Sequence, residues 1–446
     1  MKHRETSVDM LHGRLMGKLI RFAMPIALSS MLQQLFNAAD TAVVGRFADA
    51  SALAAVGTNG EIVALLVSLS LGLAVGANVL LAELIGGNRR EEIPAAIHGA
   101  LGLALLLGVI GAVGGQWLAR PLLVRIHTPA GILEQATSYL RIYLIGYPAL
   151  MLYDFGAGIL RARGDSRRPF YILRASGALN VLLNLIFVIG FGLGVEGVAA
   201  ATSISGGFAA GMVLWLLCRE TGALHVVLRR ITCRSAYIPR LLRIGVPAAL
   251  QGAVFCFANI FVQAAVNRFG ENAAAGSAIA MNFEYFGYYM ITAFGQAATT
   301  FTSQNHAAGD GARCRRILTL CLLDAVIFSA VITVPLTVFR EAAAGMFTRT
   351  PEAAAQACLR ISLILLFEPI CGFYEVPAGY LRGMGASNLP AVLTILGTCL
   401  LRILWIETVF RRLGTLQSLF VVFPISWAVT TLLMWGAVLW QRLRRA

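Results

Sequence analysis

Long apolar runs separated by short polar segments recur along the whole chain. Each run is long enough to cross the roughly 30 Å hydrocarbon core of a bilayer as a helix. The pattern therefore predicts an all-α membrane protein with twelve transmembrane helices, six in each half. The predicted spans cover residues 19–45, 54–85, 95–118, 134–160, 169–190, 195–218, 241–267, 274–304, 316–338, 355–381, 389–410 and 416–440.

The two halves of the chain repeat the same landmarks. A string of the form Leu-Arg-x-x-Gly-x-Ser-x-x-Pro occupies residues 160–169 and recurs at 381–390, which is 221 positions later. Pro148 and Pro369 precede the two strings at the same offset. An offset near half of the 446 residues predicts two pseudo-symmetric six-helix lobes. In membrane proteins such halves enclose a central site, and rocking one against the other gives alternating access.

The repeat divides the chain into three predicted segments. An N-terminal lobe covers 1–218, a cytoplasmic linker covers 219–240, and a C-terminal lobe covers 241–446. The linker is predicted because the longest polar interval of the chain lies there. Residues 1–18 mix both charge signs and lack an apolar centre, so no cleavable signal peptide is expected.

Composition supports the membrane assignment. The chain is 58% hydrophobic and 13% charged, whereas soluble domains are roughly 25% charged. The mean hydropathy is +0.75. The lipid bilayer is therefore the expected surrounding of the chain. The eight cysteines show no paired spacing and are interpreted as packing residues.

The net charge of +14 reflects membrane topology rather than nucleic-acid binding. Lysine and arginine concentrate in the segments that a twelve-span arrangement places in the cytoplasm, as the positive-inside rule requires. The expected location is the inner membrane, with many spans and both termini cytoplasmic. Arg402, Arg411 and Arg412 are exceptions, because they fall near a predicted external end.

The sequence offers neither an ATP site nor a catalytic motif. Its only lysines are Lys2 and Lys18, and no glycine-rich phosphate loop surrounds either of them. The motifs H-E-x-x-H and G-x-S-x-G are also absent from the sequence. We therefore expect a transporter that is driven by an ion gradient, not an enzyme, and no cofactor.

Asp40 is the clearest candidate for coupling to that gradient. It shares one helical face of span 1 with Ser30, Gln33 and Asn37. A carboxylate inside a span costs roughly 2.5–3.5 kcal/mol on insertion scales, so its presence needs a functional or structural reason. Burial should let Asp40 hold a proton near neutral pH. A proton or sodium site and a hydrogen bond in helix packing both remain open.

The sequence predicts three further polar side chains beside Asp40. Asn180 and Asn184 are one helical turn apart in span 5, and Thr202 lies in span 6. These side chains can coordinate around the carboxylate, and they can equally join helices by hydrogen bonds. A sodium ion at Asp40 is the only metal that the sequence suggests.

A second set of side chains suits an organic cation. Glu284 precedes Tyr288 by one helical turn in span 8, so a carboxylate and an aromatic ring share a face. Charge pairing and cation–π contact both attract organic cations. The predicted substrate-binding residues are Gln33, Asn37, Asn259, Met281, Glu284, Tyr288 and Glu368.

The ordered motifs resemble those of the multidrug and toxic compound extrusion (MATE) family over essentially the full length. The matching segments are Pro25 with Asp40 and Gly45, then 53–57, 194–202, 303–305 and 381–385. Phe423-Pro-Ile-Ser-Trp427 is similar to the bacterial drug-efflux branch. The resemblance implies exchange of organic cations for H⁺ or Na⁺ through a cleft between two lobes. A monomer is expected.

The chain departs from the family pattern in span 5. Many similar members have an Asp followed by Pro where this sequence has Asn184-Leu185. One carboxylate at Asp40 in place of two favours H⁺ over Na⁺. A lipid or lipid-linked sugar flippase of related fold is the alternative function, since Arg141, Arg174 and Arg360 could meet a phosphate.

We predict that cysteines introduced at two positions will report opposite sides of the membrane. In a background without the native cysteines, His225→Cys should resist a membrane-impermeant thiol reagent added to intact cells, because the linker is cytoplasmic. Ala130→Cys should react. Labelling of residue 225 from outside would overturn the topology.

Overall fold

The computed structural model describes residues 7–47 and 50–443. Regular secondary structure in these residues is entirely helical. The helices are α1 (Met16–Phe47), α2 (Ala50–Gly86), α3 (Ile93–Arg125), α4 (Ala130–Ile145), α5 (Tyr147–Ala162), α6 (Arg167–Gly190), α7 (Gly194–Arg219), α8 (Ile238–Asn267), α9 (Glu271–Ala307), α10 (Gly311–Val338), α11 (Arg340–Gly345), α12 (Pro351–Gly383), α13 (Asn388–Leu413) and α14 (Leu416–Leu443).

Ten of the described helices are long and apolar enough to cross a membrane. The number rises to eleven if α4 and α5, which meet at a 45° bend, form one span. The predicted span at 274–304 is helix α9, which has 37 residues and is not among them. Asn, Gln, Ser, Thr and Tyr side chains lower its hydropathy. The predicted count of twelve thus includes one long helix that is rich in polar side chains.

The contacts divide the chain into two compact units. Unit 1 takes Leu28–Ala249 and the described residues up to Val8, and unit 2 takes Asp9–Ala27 and the chain from Leu250 onward. The first turns of α1 thus group with unit 2, whereas the predicted lobes divide the chain only at the linker. Asn305 and Arg313 explain part of this grouping, because both donate hydrogen bonds to the carbonyl of Met10.

The segment predicted as a linker packs within unit 1. Nε2 of His98 on α3 accepts a hydrogen bond from the backbone N–H of Val227 at 3.0 Å. The Ser235 hydroxyl donates to the carbonyl of Ala95 on the same helix at 2.9 Å. These bonds hold the segment against α3, so much of it is docked rather than free.

The backbone carries the same repeat as the sequence. Gly164 and Gly385 are 221 positions apart, and both have positive φ angles, of 98° and 82°. Only residues without a Cβ adopt such angles at low cost, so the same turn is made twice. π-helical turns begin at Leu185 in α6 and at Ile406 in α13, again 221 positions apart.

Close packing between α1 and α6 sets the position of Asp40. A Cβ added to Gly177 would lie 1.7 Å from Cε2 of Phe36, so only glycine lets the two helices come this close. Phe36 is one helical turn before Asp40, and Gly177 is two turns before Asn184. The contact therefore brings the two polar residues within reach of each other.

We predict that Gly177→Ala will destabilise the protein by about 1–3 kcal/mol, because the added methyl group must displace the Phe36 ring. Gly207→Ala on α7 is the matched control, since nothing lies within 4 Å of its Cβ position. Thermal unfolding of the purified protein in detergent measures both. Equal midpoints for the two variants would contradict the packing argument.

Candidate functional site

Asp40 lies in a connected set of polar side chains within unit 1. Asn184 Nδ2 donates to Asp40 Oδ1 at 2.5 Å and lies 3.4 Å from Asn180 Oδ1. Asn180 Nδ2 in turn donates to the Thr202 hydroxyl at 3.3 Å. The four residues that were predicted to couple transport to an ion are thus joined by contacts across α1, α6 and α7.

One acceptor in this set is left open. Asn184 is fully buried, and its Oδ1 has no hydrogen-bond partner. A buried carbonyl oxygen without a partner raises the free energy of the folded protein, so the site favours any guest that donates to this atom. The residue also ends the regular part of α6, because the π-helical turn Leu185–Gly190 begins directly after it. Such turns are frequent at functional sites.

Gln33 and Asn37 have exposed side chains on α1. The backbone carbonyl of Asn37 accepts a bond from the Thr41 hydroxyl at 3.0 Å. Among the described residues, neither side chain hydrogen-bonds to Asp40. Their predicted role in substrate binding therefore depends on exposure and stays a prediction.

Glu284 in unit 2 is not a free carboxylate. Arg360 donates to it twice, from Nε to Oε1 at 2.7 Å and from Nη2 to Oε2 at 2.8 Å. Arg360 is only 3% exposed, and it also donates to the Ser277 hydroxyl. Two parallel bonds between guanidinium and carboxylate form the strongest type of side-chain ion pair. The positive charge of Arg360 offsets the attraction that Glu284 would exert on an organic cation.

Glu368, unlike Glu284, has no ion-pair partner among the described residues. It is 3% exposed, and its Oε2 has no hydrogen-bond partner. A Cβ on Gly287 would lie 2.6 Å from this oxygen and also 2.6 Å from Cγ2 of Thr333. The absence of a side chain at Gly287 therefore makes the space that Glu368 occupies.

The remaining predicted substrate residues lie on α8 and α9 of unit 2. Tyr288 stacks on Phe255 with ring centres 6.3 Å apart and planes 4° from parallel. Asn259 accepts a bond from Nη1 of Arg402 at 3.4 Å. Met281 is half-buried. The structure thus supplies the predicted aromatic and polar groups, and it adds an arginine that was not among them.

Arg402 is the functional candidate that the sequence reasoning missed. The prediction placed it near an external helix end, whereas the structure buries it to 1% exposure. The available signal was its position inside an apolar run of α13, with Leu400 and Leu401 before it and Ile403 and Leu404 after it. Within the described part of the chain, no cluster of three or more His, Cys, Asp or Glu side chains could hold a metal ion.

We predict that Glu284→Gln will lower the free energy of unfolding by about 3–5 kcal/mol, because it leaves the Arg360 charge buried and uncompensated. The double variant Glu284→Gln with Arg360→Met should recover most of the loss. Glu271→Gln, at an exposed position of the same helix, is the control. Unchanged stability of the single variant would show that the ion pair contributes little.

Comparisons with known proteins give the chain its family. The MatE family model matches residues 25–186 and 247–406, one match in each half. The probable multidrug resistance protein YoeA of Bacillus subtilis is 26% identical over 93% of this chain and 91% of its own length. A protein of Shewanella oneidensis named FAD transporter is 25% identical over 79% of this chain and 78% of its own length.

The fold is shared with solved structures as well. The outward-facing conformation of a multidrug resistance MATE family transporter of the MOP superfamily superposes with a TM-score of 0.91. The two chains are 22% identical, and 99% of each is covered. Since the family model matches well over half of the residues, in two copies that follow the internal repeat, the chain belongs to the MatE family of membrane transporters.

Proposed function

We propose that the chain is a secondary active multidrug exporter that exchanges organic cations for H⁺ at Asp40. The observation that carries this proposal is the Asp40–Asn184–Asn180–Thr202 set, because an intramembrane carboxylate with neutral amide partners can take up and release a proton. Membership in the MatE family and relatives named for multidrug resistance support the transport of drugs.

The amide of Asn184 offers a way to sense the proton. An ionised Asp40 accepts hydrogen bonds only, and it faces the Nδ2 donor of Asn184. A protonated Asp40 becomes a donor and needs an acceptor, which the unpartnered Oδ1 of Asn184 provides. Half a turn of the amide exchanges one arrangement for the other. The turn would also change the contact of Asn184 with Asn180, so protonation of Asp40 would alter the hydrogen bonding of α6.

H⁺ is favoured over Na⁺ for a related reason. A sodium ion needs several fixed oxygen ligands, and this site offers only one carboxylate, with Asn and Thr oxygens beside it. The Asn184 Nδ2 group faces the carboxylate as a donor, so a cation between them would require the amide to turn its Oδ1 toward Asp40 first. Na⁺ at Asp40 remains the second candidate for the coupling ion.

Organic cations are the first substrate class, because Glu368 keeps one unpartnered oxygen in unit 2, where Tyr288 and Phe255 stack. One relative is named FAD transporter, and FAD is an anion, whereas the multidrug names state no charge. The charge preference of this chain therefore depends on its own buried residues. A lipid or lipid-linked sugar flippase is the rival function, and lipid scrambling in vesicles without drug would favour it.

The proposed setting is the inner membrane, with both termini in the cytoplasm and a monomer as the working unit. The positive charges of the segments between spans support this orientation. The bilayer is then the solvent for the many large apolar side chains that the structure leaves exposed, such as Trp117, Leu432 and Val331.

We predict that Asp40→Asn will abolish transport driven by a proton gradient and leave binding of a cationic dye intact. Purified protein in proteoliposomes is tested with rhodamine 123 while a pH gradient and a Na⁺ gradient are imposed separately. Glu134→Gln, an exposed carboxylate in the same unit, should behave as wild type.

Wild-type transport with a pH gradient in the absence of Na⁺ is the expected result. Transport that requires a Na⁺ gradient at matched pH would replace H⁺ by Na⁺ as the coupling ion. Coupled transport by Asp40→Asn at wild-type rate would remove Asp40 from the mechanism.

A further inference from the structure

Two buried arginines lie in the described part of unit 2, and their surroundings differ. Arg360 has the carboxylate of Glu284 as its counter-charge. Arg402 has none, because no carboxylate of the described residues lies within ion-pairing distance of it. Arg402 thus keeps a full positive charge that the protein itself does not balance.

The polar contacts of Arg402 are few and neutral. Nε donates to the Ser426 hydroxyl at 3.2 Å, and Nη1 donates to Asn259 Oδ1 at 3.4 Å. Nη2 is buried and has no partner. An arginine presents five donors in a planar fork, so at this site a large share of its capacity is unused.

Aromatic rings flank the guanidinium. Its central carbon lies 4.1 Å from the ring centre of Phe423 and 5.7 Å from that of Phe255. Such contacts stabilise the cation, yet they bring no negative charge. Phe255 in turn stacks on Tyr288. Phe255, Tyr288 and Asn259 are only half-buried, so the side chains around Arg402 keep part of their surface open.

The internal repeat shows that this charge is specific to the second half. Arg402 lies 221 positions after Val181, a residue of α6 beside Asn180. Equivalent helices therefore carry the neutral residues Asn180 and Asn184 in unit 1 and a buried cation in unit 2. The equivalent helix of unit 1 has the neutral residue Val181 at this position, so the repeat alone does not account for the charge.

We propose that Arg402 recognises an anionic group of the transported compound, and that the substrates include aromatic molecules with a carboxylate or a phosphate. The anion would supply the missing counter-charge and accept from Nη2, while the Phe255–Tyr288 pair stacks on the aromatic part. This inference rests on the proposed function, because it requires unit 2 to contact the exported compound. Cationic compounds keep Glu368 as their partner.

A purely structural arginine is the competing explanation. Its bonds to Asn259 and Ser426 join α13 to α8 and α14, so its loss could loosen unit 2 without any effect on charge preference. The two explanations differ in one measurable quantity. A binding role changes the ratio of affinities for an anion and a cation of the same shape, whereas a structural role lowers both together.

The test uses fluorescein and rhodamine 123, which share a xanthene ring system and differ in charge. Fluorescence anisotropy with the purified full-length protein measures both affinities. Arg402→Gln should weaken fluorescein binding by about ten- to a hundredfold, the loss of a charge-assisted hydrogen bond, and leave rhodamine 123 within about twofold. Arg412→Gln, at an exposed position of the same helix, should match the wild type for both dyes.

Arg402→Lys is the control for misfolding of Arg402→Gln. It keeps the charge, so its ratio of fluorescein to rhodamine affinity should stay nearer to the wild type than that of the glutamine variant. The inference is overturned if both dyes lose affinity equally in Arg402→Gln. It is also overturned if the wild type binds rhodamine 123 and not fluorescein, a result that leaves the proposed export of cations standing. Wild-type binding of fluorescein alone would instead support Arg402 and contradict the cationic substrate class.

Discussion

The cost of holding a charge in an apolar phase is the constraint on which the rest of this structure depends. A buried ionised group is tolerated only where hydrogen bonds or an opposite charge compensate for the lost water. The chain meets this requirement in three ways. Glu284 is neutralised by Arg360 through two bonds, and Asp154 accepts from the Ser70 hydroxyl at 2.6 Å. Asp40 and Arg402 have neutral partners and at least one open polar atom nearby. At Asp40 and Arg402, a bound ion or compound would supply the missing hydrogen bond or counter-charge.

The helices that carry these charged residues occur in pairs that are related by the internal repeat. The same turn with a positive φ follows α5 and α12, and the same π-helical turn begins in α6 and α13. A shared backbone thus presents equivalent positions twice, while the side chains at those positions have diverged. Asn180 and Asn184 mark α6 as a helix of neutral partners, and Arg402 marks α13 as a helix with a fixed charge. Divergence of this kind gives one fold two chemically different halves without a change in its packing.

The sequence predicted the fold class well, because apolar runs depend on local pattern, and Asp40 and the three polar residues that it placed around Asp40 are joined by contacts. Apolar runs define the helices, and residues spaced by one helical turn share a face, so Asn180 and Asn184 were placed together before the structure. The partners of charged side chains were harder to predict. Glu284 and Arg360 are 76 positions apart, and nothing in either local pattern names the other. Packing between helices, such as that of Gly177 against Phe36, decides these pairings.

The same reasoning explains why Arg402 was assigned to a helix end. Hydropathy alone places an arginine at the edge of an apolar run, since that is where a charge costs least. The structure instead surrounds the guanidinium with Phe423, Phe255, Ser426 and Asn259. Each of these contacts joins residues that are distant in sequence. The sequence therefore showed that Arg402 breaks the positive-inside rule, but it did not show which contacts hold the arginine there. An intramembrane charge that breaks the topology rule is therefore better treated as a candidate site than as an irregular helix boundary.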